Sequence, residues 1–167
     1  FVDEGKLALD DPVAKHLPAF GGKASVTVRQ LLSHTTGLPS AACEGDATTT
    51  LRRCVASIAA GSGPSTTPGT QFRYSGVGFA IAGRVIERLA GTSFERAFEG
   101  RIAKPLGMKH TRFDGTRRPH SRNPSPAASA TSTVDDYARF LRMLATGGTV
   151  GGKQVLTPAS VAEIEQD

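Results

Sequence analysis

The sequence predicts a mainly α fold with at most short β segments, and three observations carry that expectation. Apolar residues recur at three- and four-residue spacing along most of the chain. Ser or Thr stands at the N-cap position before nearly every such run, and Gly closes most of them. Alternating polar and apolar stretches are few and short, too few to assemble a sheet of several strands.

The elements follow in order. Thr27-Val28-Arg29-Gln30 has the capping-box form and opens a helix expected to end near Gly37. Thr49 or Thr50 caps a second helix through Leu51, Cys54, Val55 and Ile58, stopped by Gly61. From Gly61 to Gly69 a Gly/Pro/Ser/Thr loop delivers the chain to Tyr74. A third helix over 77–90 places Phe79, Ala82, Ile86 and Leu89 on one stripe. Gly91 ends it, and Thr92-Ser93-Phe94-Glu95 caps the next helix at once. That fourth helix carries Phe94, Phe98 and Ile102 and is expected to stop before Pro105, since the residue before a proline is disfavoured in the α conformation. Ser132 or Thr133 caps a fifth, with Tyr137, Phe140, Leu141 and Leu144 inward and Gly147-Gly148 at its end. Thr157 caps the last, with Pro158 at the first helical position. The strand candidates are 25–28, which competes with a helix start, and 153–156.

With 167 residues the chain has room for one domain, or a partial one, over 1–167. Its 38% hydrophobic and 21% charged residues suit a globular protein. No apolar run approaches the ~18 residues of a membrane span. The net charge of +5 includes Arg117-Arg118-Pro119-His120-Ser121-Arg122, which has no aromatic for base stacking. A solvated connector, not a nucleic-acid surface, is the expectation. Cys43 falls in a polar loop and Cys54 in a helix. A loop-to-helix disulfide would contribute about 2–3 kcal/mol and would go with an extracytoplasmic location, periplasmic or secreted. The other reading is two unpaired thiols, one buried on the helix. Neither the cysteines nor the histidines have metal-ligand spacing, and no metal or organic cofactor is implied.

The chemistry centres on Pro68-Gly69-Thr70-Gln71-Phe72-Arg73-Tyr74-Ser75-Gly76, a tyrosine on a turn that opens a helix. It is preceded by Leu31-Leu32-Ser33-His34-Thr35-Thr36-Gly37-Leu38-Pro39. Val2-Asp3-Glu4-Gly5-Lys6-Leu7, Asp10-Asp11-Pro12-Val13, Lys104-Pro105-Leu106-Gly107-Met108 with Thr111, Ser132-Thr133-Val134-Asp135-Asp136 and 152–160 complete an ordered set. Taken together, the set resembles the serine β-lactamase and penicillin-binding-protein family, in its class C, D-alanyl-D-alanine carboxypeptidase and esterase branch. The resemblance covers nearly the whole chain.

It implies the helical lobe of a serine β-lactamase/transpeptidase-like fold, with the α/β sheet lobe largely absent from this chain. By resemblance Tyr74 is the catalytic residue that shuttles a proton between nucleophile and leaving group, with Ser75 and Gly76 at the substrate. A phenol of pKa ~10 does this only when nearby cations favour the phenolate. The family's nucleophile sits in S-x-x-K, yet no serine here has a lysine three residues on. Lys-Thr-Gly and His-x-Gly are missing too. Gly76 stands where the Tyr-x-Asn pattern has asparagine, which tilts the substrate from β-lactams towards esters or D-alanyl peptides. Ala127-Ala128-Ser129-Ala130 replaces the paired glycines usual in relatives.

The expectation is therefore a segment of a longer hydrolase, inactive by itself, beginning after the nucleophile segment and stopping before the third element. As a segment it would expose apolar surface and tend to self-associate. The alternative is a non-catalytic binding or structural module that keeps only this lobe. His34 belongs to a helix-ending motif on this reading, and Asp135 and Asp136 to a helix start, where negative charge favours the macrodipole. His16, His110 and His120 are given no role.

Overall fold

Five helix starts carry the cap that the sequence assigns them. In the computed structural model, which describes residues 1–23, 25–44, 46, 48–113 and 125–166, the side chains of Thr27, Thr50, Ser93, Thr133 and Thr157 each accept the backbone N–H three residues on. At Thr27 the box is reciprocal, because Gln30 Oε1 accepts the Thr27 N–H at 3.0 Å. The helices are α1 (Val13–His16), α2 (Val28–Leu32), α3 (Leu51–Ala60), α4 (Gly76–Ala90), α5 (Phe94–Phe98), α6 (Lys104–Leu106), α7 (Val134–Ala145) and α8 (Pro158–Ile164). Strands β1 (Thr149–Val150) and β2 (Lys153–Gln154) form a two-residue antiparallel ribbon. The fold is mainly α. The 25–28 candidate contributes only an isolated bridge from Thr27 to Pro12. The basic stretch 117–122 lies outside the described residues.

Helix α4 organises the larger core, against which α1, α2, α3 and α5 pack. Val77, Ile81 and Val85 are buried almost completely, one turn apart, with Leu31, Leu51 and Val55 around them. Burying each such side chain is worth about 1.5–3 kcal/mol. The expected stripe was displaced by one position: Ala82, Ile86 and Leu89 are only partly buried against this core, and Phe79 is half-buried. Small residues explain the shift. Gly78 and Gly83 let neighbouring elements come closer to the helix axis than a side chain would allow, so the face that carries them turns inward.

Three further expectations are corrected. Helical structure continues through Pro105 instead of stopping before it. Glu99–Ala103 is a π-helical segment in which the Lys104 N–H donates to Glu99 O, and α6 follows with Pro105 in its first turn. The wider turn removes the need for a proline N–H and avoids the usual ring clash. In α7, Asp136 and Met143 are buried, with Phe140 and Leu144 partly so, but Tyr137 and Leu141 face out at 56% and 47% exposure. Together with Val134 they leave an apolar stripe that no described residue covers. α2 also ends at Leu32, short of Gly37, because His34 takes a left-handed conformation at φ 57°.

Met143 joins Ala103, Leu106 and Met108 in a second, smaller core. Phe113 bridges the two cores edge-on, with ring centroids 5.0 Å from Phe94 and 4.9 Å from Phe98. Among the described residues, no helix is long and apolar enough to cross a membrane.

Candidate active site

The two segments singled out in the sequence lie side by side. Ser65 N donates to Gly37 O at 2.9 Å, Gly69 N to Thr35 O at 2.8 Å, and Arg73 N to His34 O at 2.8 Å. The turn after α2 is thus hydrogen-bonded along the whole approach to Tyr74. Its left-handed residue, His34, aims the imidazole at the start of α4. His34 Nδ1 lies 3.1 Å from Ser75 O and 3.3 Å from Ser75 N. A ring protonated at Nδ1 donates to the carbonyl, and the other tautomer accepts from the N–H. The ring packs 4.7 Å from the Tyr74 centroid and 5.2 Å from that of Phe79.

Ser75 caps α4: its Oγ accepts the Val77 N–H at 3.2 Å. Gly76 is the first residue of the helix. Tyr74 precedes the cap at 77% exposure, and Phe72 beside it is 71% exposed. Among the described residues the Tyr74 hydroxyl has no hydrogen-bond partner. Its backbone is held on both sides while its phenol stands free at the surface. The structure thus brings Tyr74, Ser75, Gly76 and His34 together, and adds Glu44, which the sequence did not single out, and Ala127, which it did. Glu44 overlaps the position that a Cβ on Gly76 would take, and Ala127 Cβ lies 3.7 Å from it. The stretch 127–130, which stands in place of paired glycines, therefore borders the same spot. The one signal for Glu44 in the sequence is its place beside Cys43, which the structure ties to α3.

Cys43 and Cys54 have their sulfurs 2.06 Å apart and their Cα atoms 5.3 Å apart. The bond fastens the loop carrying Glu44 to the helix that packs on α4. Reduction should raise the intact mass by two hydrogen atoms and lower the unfolding free energy by about 2–3 kcal/mol. An unchanged mass would show that the bond does not form. Among the described residues, no group of three His, Cys, Asp or Glu side chains is placed to hold a metal ion.

The architecture is that of the helical lobe of the serine β-lactamase/transpeptidase-like fold. The Beta-lactamase family model matches residues 1–165, and the chain belongs to that family. A crystal structure of a candidate beta-lactamase from Bacteroides dorei superposes with a TM-score of 0.85 at 38% identity, covering 96% of this chain and 49% of that one. A D-stereospecific amidohydrolase from Streptomyces sp. superposes at 0.76 with 28% identity, covering 98% and 59%. Penicillin-binding protein 4 of Amycolatopsis lactamdurans is 32% identical over 99% of this chain and 51% of its own length. The chain thus spans about half the length of these relatives.

Proposed function

We propose that this chain forms one wall of the cleft of a serine hydrolase that works through an acyl-enzyme. A serine Oγ outside this chain attacks the substrate carbonyl, and Tyr74 passes the proton to the leaving group. Water then attacks the ester, the proton returns, and the acid is released. The observation that supports this reading best is the Tyr74 phenol, free at the surface while its backbone neighbours are hydrogen-bonded and its ring rests on His34. Substrates are small esters, D-alanyl peptides or β-lactams. Gly76, without an amide side chain, favours the first two, and the similarity to a D-stereospecific amidohydrolase from Streptomyces sp. fits an acyl substrate of that kind.

On this proposal the 167-residue chain alone is inactive, since it carries no S-x-x-K. Incubation with a fluorophosphonate should leave its intact mass unchanged, whereas the full-length protein should gain one adduct. An adduct on the chain alone would overturn the assignment, and no adduct on the full-length protein would favour a non-catalytic module. The exposed Val134, Tyr137 and Leu141 are where self-association of the isolated lobe would begin. The Cys43–Cys54 bond supports an extracytoplasmic location.

A further inference from the structure

His34 holds three consecutive residues of the segment that presents the phenol. Its backbone carbonyl accepts the Arg73 N–H at 2.8 Å. Its Nδ1 lies 3.1 Å from Ser75 O and 3.3 Å from Ser75 N. Between these two attachments its ring packs on the Tyr74 ring, with centroids 4.7 Å apart and planes tilted by 39°. Phe79 and Phe72 flank the imidazole at 5.2 and 5.7 Å. The residue before Tyr74, the residue after it and its own ring therefore all rest on one histidine.

The backbone at this position would suit a different residue. Among the described residues, His34 is the one non-glycine with a positive φ, at 57°. Glycine adopts that conformation without steric cost, and α2 would end as well with it. What glycine lacks is the imidazole. A ring kept at a strained position, and aimed at Ser75 and Tyr74, points to a task beyond the turn. The phenol needs such a support. Tyr74 is 77% exposed, and among the described residues its hydroxyl has no hydrogen-bond partner and its ring contact is with His34. Without that contact the ring would be free to exchange among its staggered rotamers.

We infer that His34 is a positioning residue for Tyr74, holding the phenol in the orientation from which it moves the proton while taking no part in the transfer itself. The inference rests on the hydrolase reading above and deepens it. Holding a proton-transfer group in place is a rate effect, because a misplacement of about 1 Å can cost about 10²-fold. The competing explanation is that His34 only shapes the exit from α2. That role favours glycine at position 34, whereas positioning requires the imidazole. The two roles thus predict opposite effects of one substitution.

The test is the rate at which a fluorophosphonate labels the full-length protein, since attack by the serine requires its proton to pass to Tyr74. His34→Gly should slow labelling about tenfold or more, although it relaxes the backbone. His34→Asn tolerates the left-handed turn and places an amide where Nδ1 stands, so it should keep more of the rate than His34→Gly. In Tyr74→Phe there is no phenol to position, and adding His34→Gly should change the rate by less than about threefold. A smaller loss in His34→Gly, a rate in His34→Asn no better than in His34→Gly, or a loss that persists in Tyr74→Phe would overturn the inference. Should His34→Gly fail to fold, the cycle is read with His34→Asn, whose loss of about threefold or more must vanish in Tyr74→Phe; no loss, or one that persists, overturns the inference. A slow Tyr74→Phe beside an unaffected His34→Gly would remove this inference alone. A wild-type rate in Tyr74→Phe would remove the Tyr74 assignment as well, and no labelling of the wild-type protein would overturn the hydrolase reading itself.

Discussion

Gly78→Ala will destabilise the lobe by about 3 kcal/mol, the upper part of the range for overpacking a dense interior. A Cβ at this position overlaps Leu31 O and lies 3.1 Å from Leu31 C and 3.2 Å from Leu31 Cα. These are backbone atoms of α2, so no side-chain rotation relieves the clash; one helix must slide off the other. The movement would also carry His34, three residues beyond Leu31, away from Ser75 and the Tyr74 ring. A thermal melt should show the loss, and in the full-length protein the rate of fluorophosphonate labelling should fall with it. Gly83→Ala is the informative comparison. A Cβ there overlaps Pro126 Cγ and lies 3.3 Å from Leu51 Cδ2; the proline ring moves only with its backbone, but that backbone is a turn and not a packed helix, so the cost should be smaller. Equal effects at the two positions would show that the close approach of α2 and α4 is not what limits stability.

That close approach also shows what the sequence conveys well and what it does not. Caps are local, and Thr27, Thr50, Ser93, Thr133 and Thr157 were legible because each satisfies N–H groups within three residues of itself. The inward face of α4 was not legible from hydrophobicity, since it is chosen partly by Gly78 and Gly83, which carry no apolar signal. Continuation through Pro105 depends on a π-helical turn, a change of hydrogen-bond register that residue preferences do not announce. Tyr137 and Leu141 were placed inward by periodicity alone, but periodicity does not say whether a partner for the face lies within the same chain. At the site, the segment around Tyr74 was recognisable by its ordered motif. Glu44 was not, because its place beside Gly76 comes from a loop thirty-two residues upstream and tied by Cys43 to α3. Only the folded chain makes that juxtaposition.

Tyr74→Phe should lower kcat of the full-length protein by about 10²–10⁴-fold, the usual contribution of a positioned proton-transfer group. The substitution is narrow. The ring keeps its packing 4.7 Å from His34, and the atom removed is an exposed hydroxyl without a hydrogen-bond partner among the described residues. Stability should therefore change by no more than about 0.5 kcal/mol, as expected for a surface position. This separation gives the measurement its force, because a fall in activity cannot then be assigned to unfolding. KM should change much less than kcat, since in the proposed mechanism the phenol acts on the proton in flight and not on the bound ground state. A kcat within threefold of the wild type would remove Tyr74 from the reaction. Its exposure would then reflect only a turn that leaves an aromatic ring at the mouth of the cleft.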